Sequence, residues 1–374
     1  MKITTTKQSL TAALERCSPT SSTRGHHIHS GKVLLTATEY EDGVQQLRLY
    51  ATDAVLQVDT VAEAQVSRAG NVAVDCRKLL TAVGAMPEGE ISLLFAQARL
   101  VLKSPTSPRS YGLPAVPGDD YPTPIEPHEG APRLQVEGKV LHRAISRVQS
   151  IIEVSEKLHL YGVRIEADPD RLFSIAMSNH SFAICSTAIE GLAGGWTGLL
   201  PASGLRLVLN LCNDNEQLTL ISDGPQVYIE TDITLVGSLT PSGDYPPWRK
   251  LFDGLQRTSR AEVGFAQLQD ALKAVMVARA DQESPVRLQV QGEQLILSLE
   301  KDSCEATDQF AVVAPNGDYS VLMNPLYLSD ITKGAEGDFL LEESDIGPVI
   351  STEDGYTALA AMRHDEAPPP AGQK

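Results

Sequence analysis

The residues best able to do covalent chemistry lie near the middle of the 374-residue chain: His180 and Cys185, with His142 and His159 upstream. A thiol beside an imidazole is the pair used for nucleophilic acyl transfer. The spacing argues against that use here. Phe182, Ala183 and Ile184 read as a strand, in which side chains alternate, so His180 and Cys185 fall on opposite faces. No Gly-rich phosphate loop, HExxH or GxSxG occurs. The five cysteines, Cys17, Cys76, Cys185, Cys212 and Cys304, are scattered and never form a CxxC pair. Reduced core thiols are expected rather than disulfides or a zinc site. The expectation is a protein with no catalytic residue, no metal and no cofactor.

Phosphate binding is the other chemistry the residues offer. The chain is acidic overall, with 48 Asp and Glu against 31 Lys and Arg and a net charge of −17. A surface of that sign does not coat nucleic acid, but one basic face remains open to it. The cations gather on segments with helical periodicity: Lys7, Arg16, Arg77, Lys78, Lys139, Arg143, Arg147, Arg206, Lys273, Arg279 and Lys333. Only Glu15, Asp270 and Asp330 oppose them there. Random placement would follow the acidic excess, so the helices are read as sharing a face that meets a polyanion.

The elements that must position these cations repeat. In Gly138 to Ser150, Leu141, Ala144, Ile145 and Val148 form the stripe of an amphipathic helix. Leu10, Ala13, Leu14 and Cys17 form the same stripe 131 residues earlier, and Leu268, Ala271, Leu272 and Val275 form it 127 residues later. A second helix follows each copy, at Cys76 to Met86, Pro201 to Cys212 and Pro325 to Ala335. Alternating segments read as antiparallel strands: Lys2 to Thr5, Lys32 to Thr36, Gln46 to Ala51, Ile91 to Phe95, Ala98 to Lys103, Leu218 to Ser222, Gln226 to Thr231, Asp338 to Glu342 and Val349 to Thr352. The seams also match, VPGDDYPTP at 116–124 against TPSGDYPPW at 240–248, with linkers read at Gly130 to Arg133 and Gln256 to Arg260. The expected fold class is α+β: three repeated domains, each of two helices on antiparallel sheet. Their bounds are 1–126, 127–254 and 255–364, with a disordered proline-rich tail at 365–374.

Like units in an arc can close into a ring. Two chains would bring twelve such helices; at about 9 Å spacing, less about 10 Å of helix width, they leave a channel of roughly 25 Å. A nucleic-acid duplex fits through it. No apolar run approaches the roughly 20 residues that span a bilayer, and the start, MKITTTKQS, lacks the apolar core of a signal peptide.

At this point the chain resembles the bacterial sliding clamp, the β subunit of DNA polymerase III, over about residues 1 to 363. The likeness is carried by the repeat phase, LYATD at 49–53, MPEGEISL at 86–93, YGVRIE at 161–166, the His180-to-Cys185 segment, GDYPPWRKLF at 243–252 and the Met362-Arg363 ending. The resemblance implies the DNA-clamp fold in a closed head-to-tail ring of two chains, around double-stranded DNA without sequence preference. It implies a cytoplasmic, nucleoid-associated replication factor, no catalysis of its own and no membrane. The partners it implies are the replicative DNA polymerase, the clamp loader and repair proteins, which dock in a cleft between the second and third domains. Matched residue by residue, that cleft is Leu160, Met177, His180, Phe182, Pro246, Lys250, Leu251, Ala358, Ala360, Met362 and Arg363. Of the cations named above, all but Lys7 are expected to face DNA. Ring closure is expected at Tyr111 and Leu113 on an edge strand, meeting Val277 and Ala278, with Pro114 costing one ladder bond.

The chain departs from the family at the cleft. Met177-Ser178-Asn179-His180-Ser181-Phe182 stands where the family has Thr-Asp-Gly-His-Arg-Leu, so one guanidinium fork is lost. Ala358 and Ala360 replace large apolar groups, and a tail follows Arg363. These changes suggest a divergent clamp, such as a mobile element or phage carries, with partners of its own. The rival reading is a protein scaffold that keeps the cleft and loses the basic channel.

Overall fold

In the computed structural model every one of the three apolar stripes is buried. The structure describes all residues except 22–28, 30, 42, 153–161, 241–243, 279–283, 302–303, 334–335 and 361–374, and omits the side chains of 300, 301 and 304. Seven α-helices occur among the described residues: α1 (Lys7–Cys17), α2 (Cys76–Gly84), α3 (Gly138–Val148), α4 (Ala202–Asp214), α5 (Trp248–Asp253), α6 (Phe265–Met276) and α7 (Pro325–Thr332). Leu141, Ala144, Ile145 and Val148 of α3 are all fully buried, as are Leu10, Ala13, Leu14 and Cys17 of α1. Leu268, Ala271, Leu272 and Val275 of α6 are at most 3% exposed. Local chemistry starts the helices where it should. Thr6, Asp75 and Asn324 cap α1, α2 and α7 by accepting from Ser9, Lys78 and Leu326 backbone N–H groups. Gly138 begins α3 because a Cβ there would lie 2.2 Å from the Asn215 carbonyl and 2.3 Å from that of Cys212.

The chain forms two compact units, Met1–Lys139 with Leu200–Thr240, and Val140–Leu199 with Pro241–Lys374. The first is built on one 13-stranded sheet. Its helix α1 packs on α2 and on the strand Leu56–Ala62. That strand pairs antiparallel with Thr234–Leu239, Val58 opposite Val236, and the buried Thr60 and Thr234 hydroxyls meet at 2.7 Å. The second unit holds an eight-stranded and a four-stranded sheet. In the larger, Ser181–Ala188 pairs antiparallel with Tyr356–Ala360, Ala183 opposite Ala358. The same join, a strand of one repeat against the last strand of the next, is thus used once in each unit.

The sequence expectations for the strands hold within a residue at their ends, except that the strand expected over Lys32 to Thr36 runs on to Glu39. Three details differ. The seam read at 240–248 runs at Trp248 into α5, a helix not expected from the sequence; Trp248, Leu251 and Phe252 stand at helical spacing behind Pro246 and Pro247. The linker read at Gln256 to Arg260 instead runs into the strand Thr258–Gly264, which pairs with Asp338–Glu343. The second helix of the last repeat stops at Thr332 rather than Ala335.

Candidate functional site

The expected DNA-facing cations fall into two groups. Arg77 and Lys78 in the first turn of α2, Lys139 at the start of α3, Arg206 on α4 and Lys333 just beyond α7 are exposed. The others already face carboxylates. Arg16, 17% exposed, stands 3.9 Å from Asp214 at the end of α4, and Lys273 lies 3.2 Å from Asp270 one turn back. Arg143 and Arg147 both reach Asp354, at 2.5 and 2.7 Å. Burial opposes the Asp354 charge, but the Thr352 hydroxyl and the two guanidinium groups outweigh it and hold the carboxyl below its usual range. Arg147 also lies over the Tyr356 ring, 5.8 Å from its centroid, and its Nη1 is buried without a hydrogen-bond partner among the described residues. Arg143, Arg147 and Lys333 line one cavity of about 780 Å³ with His142, Gln149 and Ser150. That cluster can hold a phosphate, with Asp354 as its competitor. Arg279 lies outside the described residues.

The expected partner cleft is assembled on one face of two strands, Arg171–Met177 and Ser181–Ala188. Ile175, Phe182, Ile184 and Trp248 form its buried base, with Phe173, Met177, Tyr245 and Phe252 packed around them. Helix α5 is held there by an aromatic and guanidinium stack. Arg249 lies 4.3 Å from the Trp248 ring centroid and 4.8 Å from that of Phe173, and its other side reaches Glu166 at 3.1 Å and Asp168 at 3.0 Å. Glu166 is partly buried, which alone would favour its neutral form; hydrogen bonds from Arg164, Trp248 and Arg249 reverse this and lower its pKa. Tyr245 of the second DYP donates to the Ile175 carbonyl at 3.3 Å, so this turn is tied to the sheet.

The cleft residues differ in what they offer a ligand. Leu251 is 48% exposed, Lys250 is exposed, and Met177 and Pro246 are half-buried. His180 is exposed and stacks on Tyr327 of α7, with ring centroids 4.8 Å apart and planes 10° from parallel. Ser178 Oγ closes the turn before it, accepting from the His180 and Ser181 backbone N–H groups. Phe182 is 9% exposed. Ala358 and Ala360 are fully buried, so they present no surface; the strand register puts Leu359 opposite Phe182 instead. Leu160, Met362 and Arg363 lie outside the described residues.

At the expected ring-closing positions, Tyr111 and Leu113 lie half-buried on the strand Ser107–Val116. One side of it pairs with Arg99–Ser104, with Pro114 opposite Arg99. On the other side only Ala115 and Val116 are paired among the described residues, so an open edge remains. Val277 and Ala278 are not on a strand. They form the turn that ends α6, and Val277 is 87% exposed. A strand-to-strand joint therefore cannot run through those two residues; they offer an apolar knob.

The thiol-imidazole reading finds no support. Cys185 is buried, its thiol pushed up by burial, and pairs in register with Ser174 and Tyr356. Cys17, Cys76 and Cys212 are likewise free and buried. His142 Nδ1 lies 3.4 Å from Ser146 Oγ, and His159 is outside the described residues. Among the described residues no group of three or more His, Cys, Asp or Glu could hold a metal, and no helix is long and apolar enough to cross a membrane.

Sequence reasoning missed Asp354 and α5. The α5 spacing was present in WRKLF but masked by the turn signals around it. Asp354 carries no sequence signal, since it is joined to Arg143 only by the fold.

No family model matches the sequence. Curated relatives are similar at low identity. The β sliding clamp of Synechococcus elongatus is 25% identical over 372 residues, 97% of this chain and 96% of that protein. The β sliding clamp of Haemophilus influenzae is 21% identical over 295 residues, 77% of this chain and 80% of that protein. Among solved structures, a DNA polymerase III β subunit from Thermotoga maritima matches with a TM-score of 0.87 at 19% identity, covering 97% of this chain and 99% of that one. The subunit from Pseudomonas aeruginosa matches with a TM-score of 0.85 at 20% identity, covering 97% and 100%. The resemblance read from the sequence is borne out, and the α+β fold is that of the polymerase III β subunits.

Proposed function

We propose that this chain is a DNA sliding clamp, a divergent member of the bacterial type that encircles duplex DNA and tethers a replicative polymerase to it. The observation that carries the reading is the fold likeness to a polymerase III β subunit over 97% of the chain. In this reading residues 1–126, 127–254 and 255–364 are three clamp domains, and two chains close head to tail into a ring in the cytoplasm, at the nucleoid. The open edge at Tyr111 and Leu113 would receive the Val277 and Ala278 knob. The helix cations would face the phosphates, making salt-sensitive backbone contacts that read no bases.

Partners would dock against α5 and the Phe182 strand. Leu251, Met177 and Pro246 supply apolar contact there, and Lys250 a basic rim that orients an extended peptide. Polymerase, clamp loader and repair proteins would take turns at this one site, and catalysis would belong to them. A second reading, a clamp paralogue acting mainly as a protein scaffold, draws on the pairing of Arg16, Arg143, Arg147 and Lys273 with carboxylates.

Loading onto nicked circular plasmid by the host's clamp loader tests both. Retention on the circle through gel filtration, and loss when the plasmid is cut, is the result for a ring. Failure to load, with peptide binding intact, is the result for a scaffold. Sedimentation as a monomer at micromolar concentration would remove the two-chain ring.

A further inference from the structure

The first unit contains a cavity of about 350 Å³ at the end of the joined strands Leu56–Ala62 and Thr234–Leu239. Its walls are the turn from Asp53 to Leu56, the stretch from Pro122 to Ile125 and the strand end from Gly237 to Leu239. These walls are fixed. Gln57, 7% exposed, accepts from the Ile125 N–H at 3.1 Å and from the Tyr50 hydroxyl at 3.2 Å. Asp53 accepts from the Val55 and Leu56 N–H groups at 3.0 and 2.8 Å. Gly237 keeps the floor open, because a Cβ there would lie 2.7 Å from Gln57 Nε2 and 2.8 Å from the Tyr228 ring.

Two features mark the cavity as built for an occupant. Its rim is apolar and exposed: Val55 is 50%, Ile125 55% and Leu239 37% exposed. In its wall, Ser238 is 8% exposed and its hydroxyl has no hydrogen-bond partner among the described residues. A buried hydroxyl without a partner is costly, and a ligand that supplies one recovers that cost. The volume and the apolar rim suit a large apolar side chain. Asp53 is the one carboxylate in the wall among the described residues; Glu126, next to Ile125, faces Arg48 at 3.8 Å instead.

We propose that this cavity is a second peptide-docking pocket, which seats one leucine or phenylalanine side chain, pairs a backbone group of the peptide with Ser238 and favours a Lys or Arg beside it. The repeat adds to the case. Leu56 pairs with Ser238 as Ser181 pairs with Ala360, and Tyr121-Pro122 occupies the phase of Tyr245-Pro246. To that extent the proposal rests on the clamp reading, and the two pockets would take opposite charges, since the other has Lys250 on its rim.

The test is methyl NMR of the full chain, following Val55 and Leu239, with acetyl-Lys-Phe-Lys-amide and acetyl-Glu-Phe-Glu-amide as probes. Saturable shifts are expected, with the cationic probe bound several-fold more tightly. Ser238→Leu fills the cavity and should weaken binding by about tenfold or more, equivalent to about 1.4 kcal/mol. If that variant misfolds, Ser238→Ala keeps the walls and should weaken binding by about threefold or more. Leu251→Asp, in the other cleft, should leave these shifts unchanged even if the chain never loads on DNA. Absence of saturable shifts, equal binding of the two probes, or indifference to both Ser238 variants overturns the proposal.

Discussion

Replacing Asp354 by Asn tests whether the α3 arginines are a DNA contact held in check. The substitution keeps the side-chain oxygen that accepts from Thr352 and removes the charge shared by Arg143 and Arg147. Each phosphate neutralised adds about 0.9 to the slope of log K against log salt. Two released guanidinium groups therefore steepen the slope by about 1.8. Between 50 and 200 mM salt, the variant's affinity for duplex should fall about 12-fold further than the parent's. At the low end of that range the variant should bind more tightly. Fluorescence anisotropy on a labelled linear duplex reads both quantities. The sign of the pH dependence follows from the lowered Asp354 pKa. The ion pairs are fully present above the ordinary carboxylate value of 3.8 and lapse only as pH falls through the lower folded value. The parent should thus keep its shallow slope across the neutral range. An Asp354→Asn variant with the parental slope would refute the reasoning, because the arginines would then not meet phosphate at all.

Trp248→Ala removes the centre of the cleft base, where the side chain is 6% exposed, and should cost about 3–5 kcal/mol in urea unfolding of the second unit. Leu251→Asp, at 48% exposure, should change stability by less than about 0.5 kcal/mol. It should weaken a clamp-binding peptide by about tenfold in a titration, since an apolar contact is replaced by a charge. Cys17, Cys76, Cys185 and Cys212 should stay unmodified by iodoacetamide at pH 8 in the folded protein and react on unfolding, as read by peptide mass spectrometry. Burial pushes the Cys212 thiol to about 12, and only thiolate reacts.

The helices were legible because burial in an α+β layer needs only a stripe, and the stripe at Leu141, Ala144, Ile145 and Val148 is written in four residues. The repeat was legible for the same reason. Strand registers were not, since alternation sets which face is buried but not which neighbour is met. Val58 opposite Val236 joins residues far apart in the chain. The expected cleft was only half legible. The family match gave Phe182, Pro246 and Leu251, but it also gave Ala358 and Ala360, which are fully buried on the opposite strand face from Phe182 and Leu359. Strand parity, fixed by the Phe182–Leu359 pair, decides between them. The cations were found by type, and their partners were not, because Asp214 and Asp354 approach them only through tertiary contacts.

The seam between Leu56–Ala62 and Thr234–Leu239 governs how the gene product can be cut. A fragment ending before Thr234 would strip the five residues Leu56 to Thr60 of their neighbour on one side, leaving Val58 and Thr60 on a bare, β-branched margin. Such margins recruit other chains and precipitate. The opening repeat is therefore ill suited to autonomous expression, and proteolytic nicks are best tolerated only where both halves of that zipper stay together.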